Sequence, residues 1–593
     1  MIKTSPLSGA AWRLPALSLC ATLLVACGGG GGSAGGSTGP SPTPAPPPPT
    51  RQEAARFLTQ ATFGPTEAQI QEVMSKGYAK WIDDQLALPA ASHRAYWDAA
   101  DAAIKAADAT KSAGQGEVLQ SFWKQAVGGN DQLRQRMTYA LSQVMVISMQ
   151  DNSVGDNARG VAGYMDMLGD KGLGNYRDLL QGVSTHPMMG YYLTFLRNQK
   201  EDLASGRVPD QNYAREVMQL FSVGLVKLNP DGTVFKDAQG NSVETYTASD
   251  IAGLSKVFTG WSYAGPDATS TRFYGGGTQD VDRMWKPMQA YPQFHSISEK
   301  TFLNFTIPAQ TTADPAKSLQ QALDVLAGHD NVPPFICRQL IQRFVTSNPS
   351  PAYVNRVAAV FRDNGSGTRG DMKAVLKAIL LDTEARSSAN LGSSGAALQF
   401  GKVREPVLKL SAVLRAFAAT SDSGAYLVGV TDDPATSLSQ TPMRSPSVFN
   451  FYRPGYAAPG SASGTAGLVA PELQIMHETS TAGYVNYMRD AVSAGVGARG
   501  LDGKATRRDI QMDYTPALAV ADQPTQLVEL VNQRLLYGQM STGLRSELTT
   551  LMDKLPIPAA TGSNQTAIDT AKKNRVMAVI WLTAISPEFQ VQR

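Results

Sequence analysis

Pro334-Phe-Ile-Cys-Arg-Gln-Leu-Ile-Gln-Arg-Phe-Val345 decides the fold class. Its apolar residues Phe335, Ile336, Leu340, Ile341 and Phe344 gather on one side of a helical winding, with Pro333-Pro334 marking the helix start. The same spacing recurs through most of the chain. It predicts helices over 53–61, 67–76, 80–88, 96–111, 116–128, 132–149, 176–183, 187–198, 212–223 and 250–261. Further helices are predicted over 315–326, 351–364, 371–381, 404–418, 524–537, 542–554 and 567–586. The stretch 227–246 breaks the pattern with Asn229-Pro-Asp-Gly232 and Asp237-Ala-Gln-Gly-Asn241, the turn chemistry of a small β-hairpin. Residues 262–312 and 420–470 are irregular and rich in Gly, Pro and aromatics. The expected fold is therefore mainly α: a large multi-helix body with irregular loop excursions and one small hairpin. No fixed-period repeat points to a solenoid.

The N-terminus carries an address. Lys3 and Arg13 precede an apolar run that ends in Leu24-Val-Ala-Cys27, and a glycine tract follows. That is a signal peptide over 1–26 with a cysteine placed for diacylation, which resembles the bacterial lipobox. The run is too short to remain as a membrane span. Several acyl chains on Cys27 would hold the protein firmly on a membrane, and Gly28 at the next position gives no inner-membrane retention signal. The expectation is an exported protein, lipid-anchored in the outer membrane and facing either the periplasm or the outside. Residues 27–50 then form a Gly- and Pro-rich tether, and 51–593 the helical body, with a possible sub-boundary near 390–470.

Composition narrows the partners. Lys plus Arg number 53 against 50 Asp plus Glu, so no basic field points to nucleic acid. Of three cysteines, Cys20 leaves with the signal and Cys27 takes the lipid, so Cys337 alone remains and no internal disulfide can form. Cys337 reads as an inert core thiol, with no histidine or lysine close in sequence to activate it.

Seven separated segments carry a resemblance. They are Arg56-Phe-Leu-Thr-Gln-Ala-Thr-Phe-Gly-Pro-Thr66, Thr185-His-Pro-Met-Met-Gly190, Asn212-Tyr-Ala-Arg-Glu-Val-Met-Gln-Leu220 and Phe258-Thr-Gly-Trp261. Arg338-Gln-Leu-Ile-Gln-Arg343, Ser445-Pro-Ser-Val-Phe-Asn-Phe-Tyr-Arg-Pro-Gly-Tyr456 and Ser586-Pro-Glu-Phe-Gln590 complete the set. Together they resemble the bacterial family known as domain of unknown function 1800, over nearly all of 51–593. The resemblance implies a large exported protein and brings no assigned activity. Such proteins are often encoded beside a second exported family that resembles sulfatases and alkaline phosphatases, which implies a partner of that kind.

The body has no Gly-x-Ser-x-Gly elbow, His-Glu-x-x-His, P-loop or Gly-x-Gly-x-x-Gly after a strand. Chemistry must come from dispersed residues. His186 and His329 each precede a helix-starting proline segment, where the dipole keeps an imidazole neutral and able to accept a proton or bind a metal. The competing reading for both is a capping histidine. His295 lies in the irregular segment, His93 reads as a surface loop residue, and His477 as a packed or surface group on a helix. Glu216 shares a helix face with Leu220 and is read either as pinned by an arginine or as exposed in a cleft. One divalent metal ion held by His186, Glu216, Asp250 and His295, with Glu216 and His186 as the catalytic pair, would make a metal-assisted hydrolase. Trp261, Phe449, Phe451 and Tyr452 would hold its substrate, although rings in such loops also serve to cover a core edge. The alternative is a non-catalytic binding or assembly lipoprotein for a polymer or for the exported sulfatase-like partner. Convergence of the four ligands favours the first and their dispersal the second.

Overall fold

The Val332–Phe344 helix begins on Pro333 and Pro334 in its first turn, where missing N–H groups cost nothing. Ile336, Cys337, Leu340, Ile341 and Phe344 are buried as the apolar pattern requires, while Phe335 is half-buried. Gln342 and Arg343 are buried too, so the helix runs through the core instead of along its surface. It packs against the Pro351–Arg362, Met372–Leu381 and Gln132–Ser142 helices.

The computed structural model describes residues 47–391, 399–500 and 507–593. The signal peptide, Cys27 and nearly all of the tether lie outside the described residues. Pro48–Arg593 is one unit of dense internal contact. Among the described residues, twenty-six α-helices accompany four antiparallel sheets of two or three short strands. The mainly α expectation holds. No helix among them is long and apolar enough to cross a membrane. Cys337 is fully buried and burial pushes its thiol up, so it stays unionised.

Among the elements that differ from the sequence reading, which include an unexpected Ala158–Lys171 helix and a Pro187 helix that ends at Tyr192, three show the cause. The helix expected over 132–149 stops at Ser142, with Gln143 as its C-cap. Residues 144–149 leave it to pair with the later irregular stretch: Met149 N–H donates to the Met443 carbonyl, and Ser148 Oγ to that of Ser445. Tertiary hydrogen bonds outcompete helical ones there. The hairpin within 227–246 forms isolated antiparallel bridges, Val226 with Glu244, Leu228 with Val234 and Lys236 with Ser242. Val234 and Phe235 are exposed, so no buried face extends the bridges into a ladder. Finally, the helix expected over 250–261 is Ala248–Ser255, capped by Thr247 in a reciprocal box with Asp250. Its sequel turns at Gly260 (φ +74°) and delivers Trp261 into a short strand paired with Gln289–Ala290.

Candidate functional site

The Trp261 strand forms one wall of a cleft of about 740 Å³. The Ala158–Lys171 helix brings Asp166, Asp170 and Lys171 to it, the Gln132–Ser142 helix brings Arg134, and the Tyr176–Thr185 helix ends there at His186. Thr185 is tied to the Trp261 side because its carbonyl accepts from Met288 N–H at 2.7 Å. Gly163 allows the close approach of Trp285, whose Cβ lies 2.5 Å from where an added Cβ would stand. The Arg94 guanidinium covers the Trp285 ring at 4.1 Å.

His186 links two helices, closing Tyr176–Thr185 and capping Pro187–Tyr192. Its Nδ1 accepts from Met188 N–H at 3.2 Å, as the capping reading anticipated. Burial pulls its pKa down to about 3, so the ring is neutral at physiological pH. With Nδ1 accepting, the tautomer assigned by this bond puts the proton on Nε2. That Nε2 is buried and has no acceptor. Trp261 is in the same condition: 7% exposed, with a buried Nε1–H and no partner. Two orphaned N–H donors therefore belong to residues that line the same cleft.

His93 also lines the cleft, against the expectation of a surface loop; it is 2% exposed at the start of the His93–Ala107 helix. Ser92 caps that helix, and Asp166 accepts from Ser92 Oγ and from the His93 and Arg94 backbone N–H groups. The His93 ring bonds Ser121 Oγ at 2.8 Å and Gln135 Oε1 at 2.9 Å, and Gln135 Nε2 donates to Asp131 at 3.0 Å. The order Ser–His–Gln–Asp echoes a nucleophile relay. Ser121 is fully buried, however, so the chain ties helices together and offers no reachable nucleophile. On the rim, burial and the charge of Asp166 push the Asp170 carboxyl above its ordinary value.

The other expected ligands stand elsewhere. Both ring nitrogens of His295 are engaged, Nδ1 with the Thr259 carbonyl at 2.8 Å and Nε2 with Ser318 Oγ at 3.0 Å. Burial pulls its pKa down to about 4. Asp250 spends Oδ2 on Thr247 and Oδ1 on Leu303 N–H. Glu216 is 8% exposed, its Oε2 is buried without a hydrogen bond, and burial raises its pKa. Neither form expected for it appears: among the described residues no ion pair joins it to an arginine, and it does not line the cleft. Among the described residues, no group of three or more His, Cys, Asp or Glu side chains is placed to hold a metal ion. The four-ligand centre is not assembled. His329 closes the Pro315–Gly328 helix and His477 caps Glu478–Ala494. Phe451 and Tyr452 are buried, and Phe449 is half-buried beneath the Arg453 guanidinium at 4.5 Å.

Tyr452 leads to a centre the sequence reading missed. Glu405 is fully buried, and its Oε2 accepts from Tyr139 and Tyr452 hydroxyls at 2.9 Å and from Gln143 and Gln440 Nε2 at 2.6 Å. Burial pushes its carboxyl up, but the Lys402, Arg136 and Arg343 charges hold it below the ordinary value. Lys402 also pairs with buried Glu472 at 2.9 Å. The available signal was that Arg343 and Tyr452 both stand in segments carrying the family resemblance. Glu405 itself, next to Pro406, read only as a helix start.

A mainly α body that holds a mixed-charge cleft and a buried charge network defines the class of protein. The chain belongs to the family described as "Protein of unknown function (DUF1800)", whose model matches residues 56–591. No curated protein and no solved structure was found to match it.

Proposed function

We propose that the protein is exported and lipid-anchored through Cys27 in the outer membrane, and that its body is a binding protein for a segment of an oxygen-rich polymer, a glycan. The carrying observation is the pair of buried N–H donors, His186 Nε2 and Trp261 Nε1, that lack acceptors beside one cleft. An orphaned buried donor costs about 1–3 kcal/mol, and a hydroxyl or ring oxygen from a ligand relieves that cost. The remaining wall suits the same ligand. The Asp170 carboxylate accepts from hydroxyls, Lys171 and Arg134 donate to them, and indole surface stacks on sugar rings.

Metal-assisted hydrolysis, with His186 and Glu216 as catalytic pair, has less support. His186 offers a proton where a metal needs a lone pair, and hydrogen bonds already hold Asp250 and His295 to other partners. The proposed partner, besides the glycan, is the exported sulfatase-like protein implied by the family resemblance.

Indole fluorescence titrations with chitotetraose, cellotetraose and maltotetraose test the binding reading. At least one is expected to bind saturably, and Trp261→Phe, which keeps a ring but removes the N–H, to weaken it about tenfold. Equal affinity in the variant, or no binding of any glycan, would contradict it.

A further inference from the structure

A second cavity, of about 540 Å³, lies between the start and the end of the body. Its wall includes Arg56 from the Arg51–Ala61 helix and Arg404 just after the Lys402–Val403 strand, with Tyr537, Ser541, Glu588 and Arg593 around them. Arg56 is 3% exposed and Arg404 5%. Among the described residues, neither forms an ion pair with a carboxylate. The bonds Arg56 does make end at Nη1, which donates to the Ser387 carbonyl at 2.8 Å. Nε and Nη2 of Arg56, and Nε and Nη1 of Arg404, are buried without any acceptor.

Rings hold both guanidiniums in place. Arg404 sits 4.8 Å from the Phe589 ring centre and 5.9 Å from that of Tyr537, and Arg56 5.4 Å from that of Phe400. The nearby acids are already committed. Glu53, one turn before Arg56, completes the Thr50 capping box. Glu588 accepts from Ser541 N–H and Oγ. Half-buried Arg386 adds a further cation; it donates to Gln60, and its pKa is pulled down to about 10 by burial and by the charge of Arg56. Buried cations of this kind are destabilising unless an anion compensates them.

We propose that this cavity is a binding site for a compact tetrahedral oxyanion, a phosphate or sulfate group, held by the guanidiniums of Arg56 and Arg404 that line it. Guanidinium forks match such groups in geometry as well as in charge. The site is independent of the glycan cleft: it shares no lining residue with it. Its ligand is either free inorganic anion or the same group carried as an ester on a larger molecule.

The test is calorimetric titration of the full chain with inorganic phosphate, sulfate and acetate, followed by glucose 6-phosphate and glucose 6-sulfate. Phosphate or sulfate is expected to bind at one site and acetate much more weakly. Arg56→Lys and Arg404→Lys keep the charge but lose the fork, and each is expected to lower affinity about tenfold. Tighter binding of an ester than of its free anion assigns the carried form; the reverse assigns the free anion. Crystals soaked in tungstate supply a readout that needs no variant, with an anomalous peak expected within hydrogen-bond reach of both arginines. No binding of phosphate or sulfate, undiminished binding in both variants, or tungstate density only elsewhere would overturn the proposal.

Discussion

Replacing Glu405 by alanine is expected to destabilise the fold by about 4 kcal/mol, read as a lower denaturant midpoint at pH 7. Four side-chain donors converge on one of its oxygens, and three cations hold its charge. Without the carboxylate, Arg136, Arg343 and Lys402 face one another with only Glu472 to balance them, and buried hydroxyl and amide donors lose their acceptor. The loss should show first as protease cleavage within 431–456, because Gln440 and Tyr452 are drawn to the core by this group. The pH dependence has a definite sign. The folded-state pKa lies below the ordinary 4.5, so the stabilisation is present above the unfolded value and lost as pH falls through the lower folded one. The gap between wild type and Glu405→Ala should therefore narrow only in acid below pH 4.5. A gap under 1 kcal/mol at pH 7 would contradict the network.

Gly64→Ala is expected to cost roughly 3–5 kcal/mol, combining backbone strain with overpacking. Gly64 has φ +131°, and a Cβ there would stand 2.6 Å from the Ala412 Cα. Backbone atoms cannot swing aside as a flexible side chain would. The turn is also clamped from the facing Pro406–Ala416 helix: Ser411 Oγ donates to the Phe63 carbonyl at 2.8 Å and Arg415 Nε to that of Gly64 at 2.6 Å. Relief by backbone shift would break these bonds. Soluble yield and denaturant midpoint check the result; a variant within 1 kcal/mol of wild type would show that the turn can move.

Both positions adjoin one helix, and they show how unevenly the sequence discloses structure. Helical spacing was enough to find most of the body, because a buried stripe leaves a local period. The break between the helices over 53–61 and 67–76 was legible for the same reason, since the helical period stops there. By contrast, the end of the Gln132 helix at Ser142 depends on hydrogen bonds to Met443 and Ser445, some three hundred residues away. Glu405 drew no notice because a lone carboxylate before a proline looks like any helix start. His186 was legible as a cap but not as a donor, because its tautomer follows from the Met188 N–H. Asp250 and His295 attracted metal-ligand readings by residue type alone, while their actual partners are backbone groups and hydroxyls brought in by folding.

The most direct test of the binding account is the protonation of His186 itself, followed by ¹⁵N resonance in histidine-labelled protein. From pH 5 to pH 8 the ring should stay neutral with its proton on Nε2. Titration with whichever of chitotetraose, cellotetraose or maltotetraose binds should shift that N–H, and zinc should leave it unmoved. A ring that carries its proton on Nδ1, becomes cationic within that range, or responds stoichiometrically to zinc would contradict the account.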